Sequence, residues 1–197
     1  MKQLLIFLIL IINFSLVQSQ VKVTSKYGSD INDVQDILRF ENIFTNKLTF
    51  QSETLKGKSY TIALEEFKKG KLVKTTILFD DNYFKIPNDK LALKFYFKLA
   101  NGKLKTQILG NVFSGKKSTF KLSNDEDQYA LKDFFGSKEE IILDINKKNS
   151  VFALITPTIH EDGSGSYCEV AQSDVAPEKL GEKFKIPHYF LVTIKFN

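Results

Sequence analysis

The stretch KLALKFYFKLANGKLKTQILG, residues 90–110, decides the fold class of this chain. Its apolar residues occupy every second position from Leu91 to Leu99 and alternate with lysine, alanine and tyrosine, as in a strand with one buried face. Asn101-Gly102 follows, a pair that favours a two-residue hairpin turn because both central positions need positive φ. The alternation resumes over Leu104 to Leu109. The stretch therefore predicts an antiparallel hairpin.

The same period of two recurs through most of the chain. It predicts roughly nine to eleven strands, including segments 60–65, 72–79, 119–122, 140–145, 151–156 and 188–196. We expect 140–145 and 151–156 to form another hairpin across Asn146–Asn149. Short turns join antiparallel strands, and alternation implies one buried and one wet face for each sheet. The fold class is therefore mainly β, an antiparallel two-layer β-sandwich, with a β-barrel as the alternative.

One short helix is predicted near residues 30–40. Ile31, Val34, Ile37 and Leu38 fall on one face of it, and Ser29 or Asp30 is placed to cap its start. A helix of this length is marginal in isolation, so we expect its apolar face to pack against a sheet.

The first nineteen residues have the organisation of a secretory signal peptide. A lysine at position 2 precedes an apolar run from Leu4 to Phe14, and the small residues Val17 and Ser19 stand before a cleavage point ahead of Gln20. The run is shorter than the about 20 apolar residues that a membrane-spanning helix needs. We therefore predict a signal peptide at 1–19, a single β-sandwich domain at 20–197, and an exported protein, periplasmic or extracellular, that is not membrane-embedded after cleavage.

Composition narrows the classes of partner. The chain has 28 basic and 23 acidic residues, a net charge of +5, but every base except Arg39 is lysine. Proteins that bind nucleic acids rely on arginine, whose guanidinium group makes bidentate hydrogen bonds to phosphates and bases. This composition therefore argues against a nucleic-acid partner. A single cysteine in an exported chain excludes an internal disulfide, and stability must come from apolar burial.

The candidate catalytic residues lie in or beside one Gly/Ser-rich loop, residues 160–166. His160 and Cys168 flank this loop and would form a nucleophile–base pair if their strands came together. His160, Glu161 and Asp162 would begin a metal site, with His188 as a more distant ligand, but the spacing matches no zinc motif. No loop has the EF-hand spacing of a calcium site. A structural cysteine and a solvated turn are the simpler interpretations, and no metal or cofactor is predicted.

The function predicted from these features is that of an exported non-catalytic binding or adaptor module for a protein or a surface glycan. The alternative is a small exported hydrolase that uses the His160 loop or clustered carboxylates. Lysines at two turns form one candidate patch for an anionic ligand. Alternate turns of a meander lie at the same end of a sheet, so these two turns should come together. That patch comprises Lys69, Lys71, Lys103 and Lys105.

Overall fold

The computed structural model describes residues 20–81, 85–160, 163–167, 170 and 174–197. The strands are β1 (Gln20–Tyr27), β2 (Ile43–Gln51), β3 (Tyr60–Lys68), β4 (Lys71–Asp81), β5 (Lys90–Ala100), β6 (Lys103–Gly110), β7 (Ser118–Lys121), β8 (Ala130–Asp133), β9 (Glu140–Asp144), β10 (Asn149–Ile155), β11 (Thr158–Ile159), β12 (Gly165–Ser166) and β13 (His188–Phe196). The helices are α1 (Asn32–Phe40) and α2 (Leu180–Lys183), with 3₁₀ turns at Glu53–Leu55, Glu126–Gln128 and Pro177–Lys179. None of the helices in these ranges is long and apolar enough to cross a membrane.

Two antiparallel sheets form the layers of a β-sandwich, as the sequence predicts. Sheet A has the order β7-β6-β5-β2-β1-β9, sheet B has the order β4-β3-β13-β10-β8, and β11 and β12 form a separate two-stranded ribbon. Aromatic rings from the facing layers meet in the core: the ring of Phe152 on sheet B lies 5.1 Å from that of Phe95 and 6.0 Å from that of Phe97 on sheet A. All three side chains are essentially inaccessible to solvent.

The hairpin predicted over residues 90–110 is present with the predicted faces. β5 and β6 pair from Ala100 opposite Lys103 down to Leu93 opposite Gly110. Asn101 and Gly102 both have positive φ, 55° and 66°, as a type I′ turn requires. The alternate residues from Leu93 to Leu99 are buried, whereas Lys94 is exposed.

Helix α1 forms where the sequence predicts it but does not pack as expected. It begins at Asn32, and its N-cap, Ile31, makes no side-chain capping bond. The expected cap is wrong because both candidates are used elsewhere: the Ser29 hydroxyl accepts from the Ile31 N–H, and Asp30 pairs with Lys26. No residue of α1 is buried, since the helix is tethered at the end of sheet A by its flanking segments rather than laid on a sheet face.

The hairpin expected from segments 140–145 and 151–156 is wrong. β9 pairs with β1 in sheet A, whereas β10 pairs with β13 and β8 in sheet B. The intervening turn is closed by Asn149, whose side-chain amide donates to the carbonyl oxygens of Asp144 and Lys147. This turn moves the chain from one layer to the other, and both strands still direct apolar residues into the shared core.

The two sheets differ in their outer faces. Tyr189 and Leu191 on the outer side of β13 are completely buried in a second apolar cluster, together with Leu180, Phe184 and Ile186 from the segment around α2. The expectation of one wet face per sheet therefore fails for this part of sheet B. Sheet A keeps a solvent-exposed outer face.

Candidate anion-binding face

Lysine dominates the outer face of sheet A. The outward positions of the adjacent strands β2, β5, β6 and β7 carry seven lysines and no aspartate or glutamate. We call these residues the lysine face: Lys47, Lys90, Lys94, Lys98, Lys103, Lys105 and Lys121. In the described part of the chain, acidic groups reach this side of the sheet from β9 and from the segments that flank α1.

Three lysines stand in one line across the sheet. Lys26 on β1 is directly opposite Lys47 on β2, and Lys47 is directly opposite Lys94 on β5. We call these three the lysine row. Like charges directly opposite each other on a sheet are destabilising. The repulsion is greatest between Lys47 and Lys94, because Lys26 is paired with Asp30, and an anionic ligand would relieve it.

Ion pairs neutralise some lysines on this side of the sheet, including Lys26 of the lysine row, and leave the two central ones unpaired. Asp30 pairs with Lys26, Glu140 pairs with Lys22, and Glu41 Oε2 lies 2.7 Å from Lys98 Nζ. Among the described residues, no acidic group forms an ion pair with Lys47 or Lys94, and both side chains are exposed. Positive charge at the centre of the face is thus available to an external anion.

A groove runs beside the lysine row. Lys47, Lys94, Thr45 and Tyr96 line it on the sheet, and the segment Gly28–Asp30, which leads into α1, lines it at the strand ends. Its volume is about 330 Å³. Lys47 and Lys94 offer ammonium groups to an anion, and the hydroxyl groups suit a neutral polar ligand. The ion pair of Lys26 with Asp30 also lines the groove, which is open to solvent along the sheet.

The lysine patch predicted from the turns is divided between the two layers. Lys103 and Lys105 belong to the lysine face, whereas Lys69 and Lys71 lie at the β3–β4 turn of sheet B. The two turns are nevertheless at the same end of the sandwich. Phe120 is opposite Leu104 beside the β5–β6 turn, and its ring centroid lies 6.2 Å from that of Phe190, which is opposite Glu66 near the β3–β4 turn. The two turns belong to different sheets, so the premise that they are turns of one sheet is wrong.

An acidic group also lies at the tip of the β5–β6 turn. Glu126 Oε2 accepts a hydrogen bond of 2.5 Å from the Gly102 N–H. The carboxylate thereby reduces the positive potential at this end. The central lysines of sheet A are the stronger candidate for anion binding.

The His160 loop shows no assembled catalytic group in the part that is described. His160 is exposed, its N–H donates to the Ser164 carbonyl oxygen at 2.9 Å, and its own carbonyl oxygen accepts from Gly163 at 3.0 Å. Both are contacts of the backbone and not of the imidazole ring. The two other candidates, Asp162 and Cys168, lie outside the described residues, so the nucleophile–base pair stays a prediction.

His188 has a structural environment that the sequence did not indicate. The side chain is 1% exposed at the end of the core, where Nε2 lies 3.2 Å from Glu66 Oε1 and Nδ1 is hydrogen-bonded to the Tyr129 hydroxyl. Glu66 is also 2.9 Å from Lys68 Nζ. A carboxylate can only accept, so Nε2 donates to Glu66 and the Tyr129 hydroxyl donates to Nδ1. Both ring nitrogens are occupied, and the predicted use of His188 as a metal ligand with His160 finds no support.

Burial governs the electrostatics of this network. It lowers the pKa of His188 below its ordinary value, although the hydrogen bond and charge of Glu66 act in the opposite direction. It also raises the pKa of Tyr129 to about 12. Burial alone would raise the pKa of Glu66, but the hydrogen bonds and charges of Lys68 and His188 hold it below its ordinary value. The network runs from the buried His188 through the partly buried Glu66 to the exposed Lys68.

No group of three or more His, Cys, Asp or Glu side chains is arranged to hold a metal ion within the described ranges. Comparison with known proteins adds no family to this picture. No protein-family model matches the chain. A search of curated proteins finds no matching relative either.

Proposed function

We propose that this protein is an exported, non-catalytic binding module that holds an anionic polysaccharide on the lysine face. One observation carries the proposal: seven outward lysines occupy four adjacent strands with no acidic residue among them. A surface lined by one sign of charge concentrates oppositely charged ligands. Two of the central lysines, Lys47 and Lys94, have no ion-pair partner among the described residues.

The shape of the surface favours a polymer. The lysine face extends over several strands, and its groove is open rather than enclosed, so a long ligand can contact many lysines at once. Between the lysines lie neutral polar side chains such as Thr49, Gln107 and Thr119. These groups suit the hydroxyl groups of a sugar, whereas base-specific readout of nucleic acid relies mainly on arginine, asparagine and glutamine at base edges.

Export is the part of the proposal that rests on sequence alone. Residues 1–19 have the charged start, apolar core and small-residue cleavage site of a signal peptide. An exported module would meet the anionic polysaccharides of envelopes and matrices. The hydrolase alternative stays a prediction, and no contact of the described residues favours it.

Binding to polygalacturonate, with dextran as the neutral control, tests the proposal. We expect binding to the anionic polymer only, weakening about 10–40-fold between 50 and 200 mM salt, as for two to three released counterions. The double variant Lys47→Glu/Lys94→Glu should abolish most of this binding. Lys69→Glu/Lys71→Glu makes the same charge change on the other sheet and is the matched control.

Three outcomes would contradict the proposal. Equal losses in the two double variants would show that only net charge matters. Equal binding to dextran and polygalacturonate would show that charge is irrelevant. Tighter binding to duplex DNA than to the polysaccharide at the same salt concentration would identify a nucleic acid as the ligand.

A further inference from the structure

Charged and neutral positions alternate along the outer face of sheet A. On β5 the outward residues are Lys90, Ala92, Lys94, Tyr96 and Lys98. Successive lysines are therefore four residues apart, which corresponds to about 13–14 Å at the rise of an antiparallel strand. A ligand that runs along the strand meets one charge at each of these long intervals.

The spacing across the strands is much shorter. Lys26, Lys47 and Lys94 occupy directly opposite positions on three adjacent strands. Neighbouring strands are about 4.7–4.9 Å apart, so the backbone positions of the lysine row follow one another at about 5 Å. Lys26 is paired with Asp30, so the unpaired charges of the row are those of Lys47 and Lys94. Their backbone positions are about 5 Å apart across the sheet, whereas successive lysines along β5 are about 13–14 Å apart.

Neutral rows lie on both sides of the lysine row. Thr24, Thr49 and Ala92 form one of them, in direct cross-strand register. Thr45 and Tyr96, which are directly opposite each other, belong to the second neutral row. A ligand lying along the lysine row would place its anionic groups on the lysines and its hydroxyl groups against these flanking rows.

We propose that the bound polymer lies across the strands, along the lysine row, and carries an anionic group on every sugar. This inference rests on the proposed function and adds to it the direction of the chain and the class of polysaccharide. A single pyranose advances a polymer by a length close to the strand spacing. A carboxylate or sulfate on each sugar therefore matches the row, whereas a polymer charged on alternate sugars leaves a lysine without a partner.

Two double variants that remove the same charge separate the row from the rest of the face. Lys47→Gln/Lys94→Gln removes two members of the row, and Lys90→Gln/Lys105→Gln removes two lysines outside it. The probes are polygalacturonate, charged on every sugar, and hyaluronate, charged on alternate sugars, at equal ionic strength. Urea midpoints of both variants confirm that they are folded.

We expect the wild-type protein to bind polygalacturonate at least tenfold more tightly than hyaluronate. The row variant should lose at least tenfold in affinity for polygalacturonate, and the off-row variant less than threefold. Equal losses in the two variants, or a preference for hyaluronate, would overturn the inference while leaving anion binding intact. Absence of binding to both polymers would instead overturn the proposed function.

Discussion

Replacing Phe95 by alanine tests the assignment of the two faces of β5. The Phe95 side chain is 0% exposed, and its ring meets that of Phe152 from the opposite layer at 5.1 Å. Truncation of a buried phenylalanine costs about 3–5 kcal/mol, because apolar burial is lost and a cavity is left. With a urea dependence of about 2 kcal/mol per molar, the midpoint should fall by roughly 1.5–2.5 M.

Tyr96 provides the matched control, because it follows Phe95 directly and points to the outer face. Tyr96→Ala should cost less than about 1 kcal/mol, since no core cavity results. Combining Phe95→Ala with Phe152→Ala should reveal a coupling of about 0.5–1.5 kcal/mol for the ring pair. Equal midpoint shifts for the Phe95 and Tyr96 variants, or full additivity with Phe152→Ala, would refute the assigned layer contact.

Two further predictions concern stability. The pKa of His188 in the folded state is lowered from 6.5, so as the pH falls below 6.5 the unfolded chain binds more protons than the folded one. The urea midpoint should therefore fall as the pH drops below about 6.5. His188→Gln should make this fall shallower. An unchanged pH profile in that variant would contradict the role of His188. Gly70 and Gly102 both have positive φ in two-residue turns, but a Cβ on Gly70 would lie 3.1 Å from the Glu182 backbone nitrogen, whereas Gly102 faces open space. Thermal unfolding should therefore show Gly70→Ala to be more destabilising than Gly102→Ala, by about 1 kcal/mol or more, and equal destabilisation would mean that this close approach is absent.

Local patterns predicted the strands well. The alternation in β5 and in β13 reflects a physical requirement, since successive side chains of a strand point to opposite faces. The Asn101-Gly102 turn was equally predictable, because few other residue pairs adopt positive φ twice at low cost. Such features are contained in a few consecutive residues.

Pairing between distant strands was not contained in the local sequence. β9 and β10 are separated by a short polar turn, which suggests a hairpin, but the same turn also allows the chain to change layers. The α1 helix shows a related difficulty. Its apolar pattern favours burial, yet Val34 and Ile37 are 41% and 62% exposed because the flanking contacts hold the helix at the edge of the sheet.

The candidate site was only partly predictable for the same reason. Lys103 and Lys105 were identified from one turn, but the lysine row requires the register of three strands, two of which are more than 40 residues apart along the chain. The network of His188 joins residues that are 59 and 122 positions away. No local motif marks such a set, since its members come together only when both sheets have formed.

The position of β13 sets the order in which the molecule can be completed. This strand is synthesised after all the others described, yet it lies in the middle of sheet B, between β3 and β10. Glu66 precedes its partner His188 by 122 residues, so at about 5–20 residues per second β3 emerges roughly 6–25 s before its neighbour. β10 emerges late in that interval, and from then until β13 follows, β3 and β10 both lack their central partner. Sheet B therefore remains two separate pairs of strands, β3 with β4 and β8 with β10, until β13 joins them.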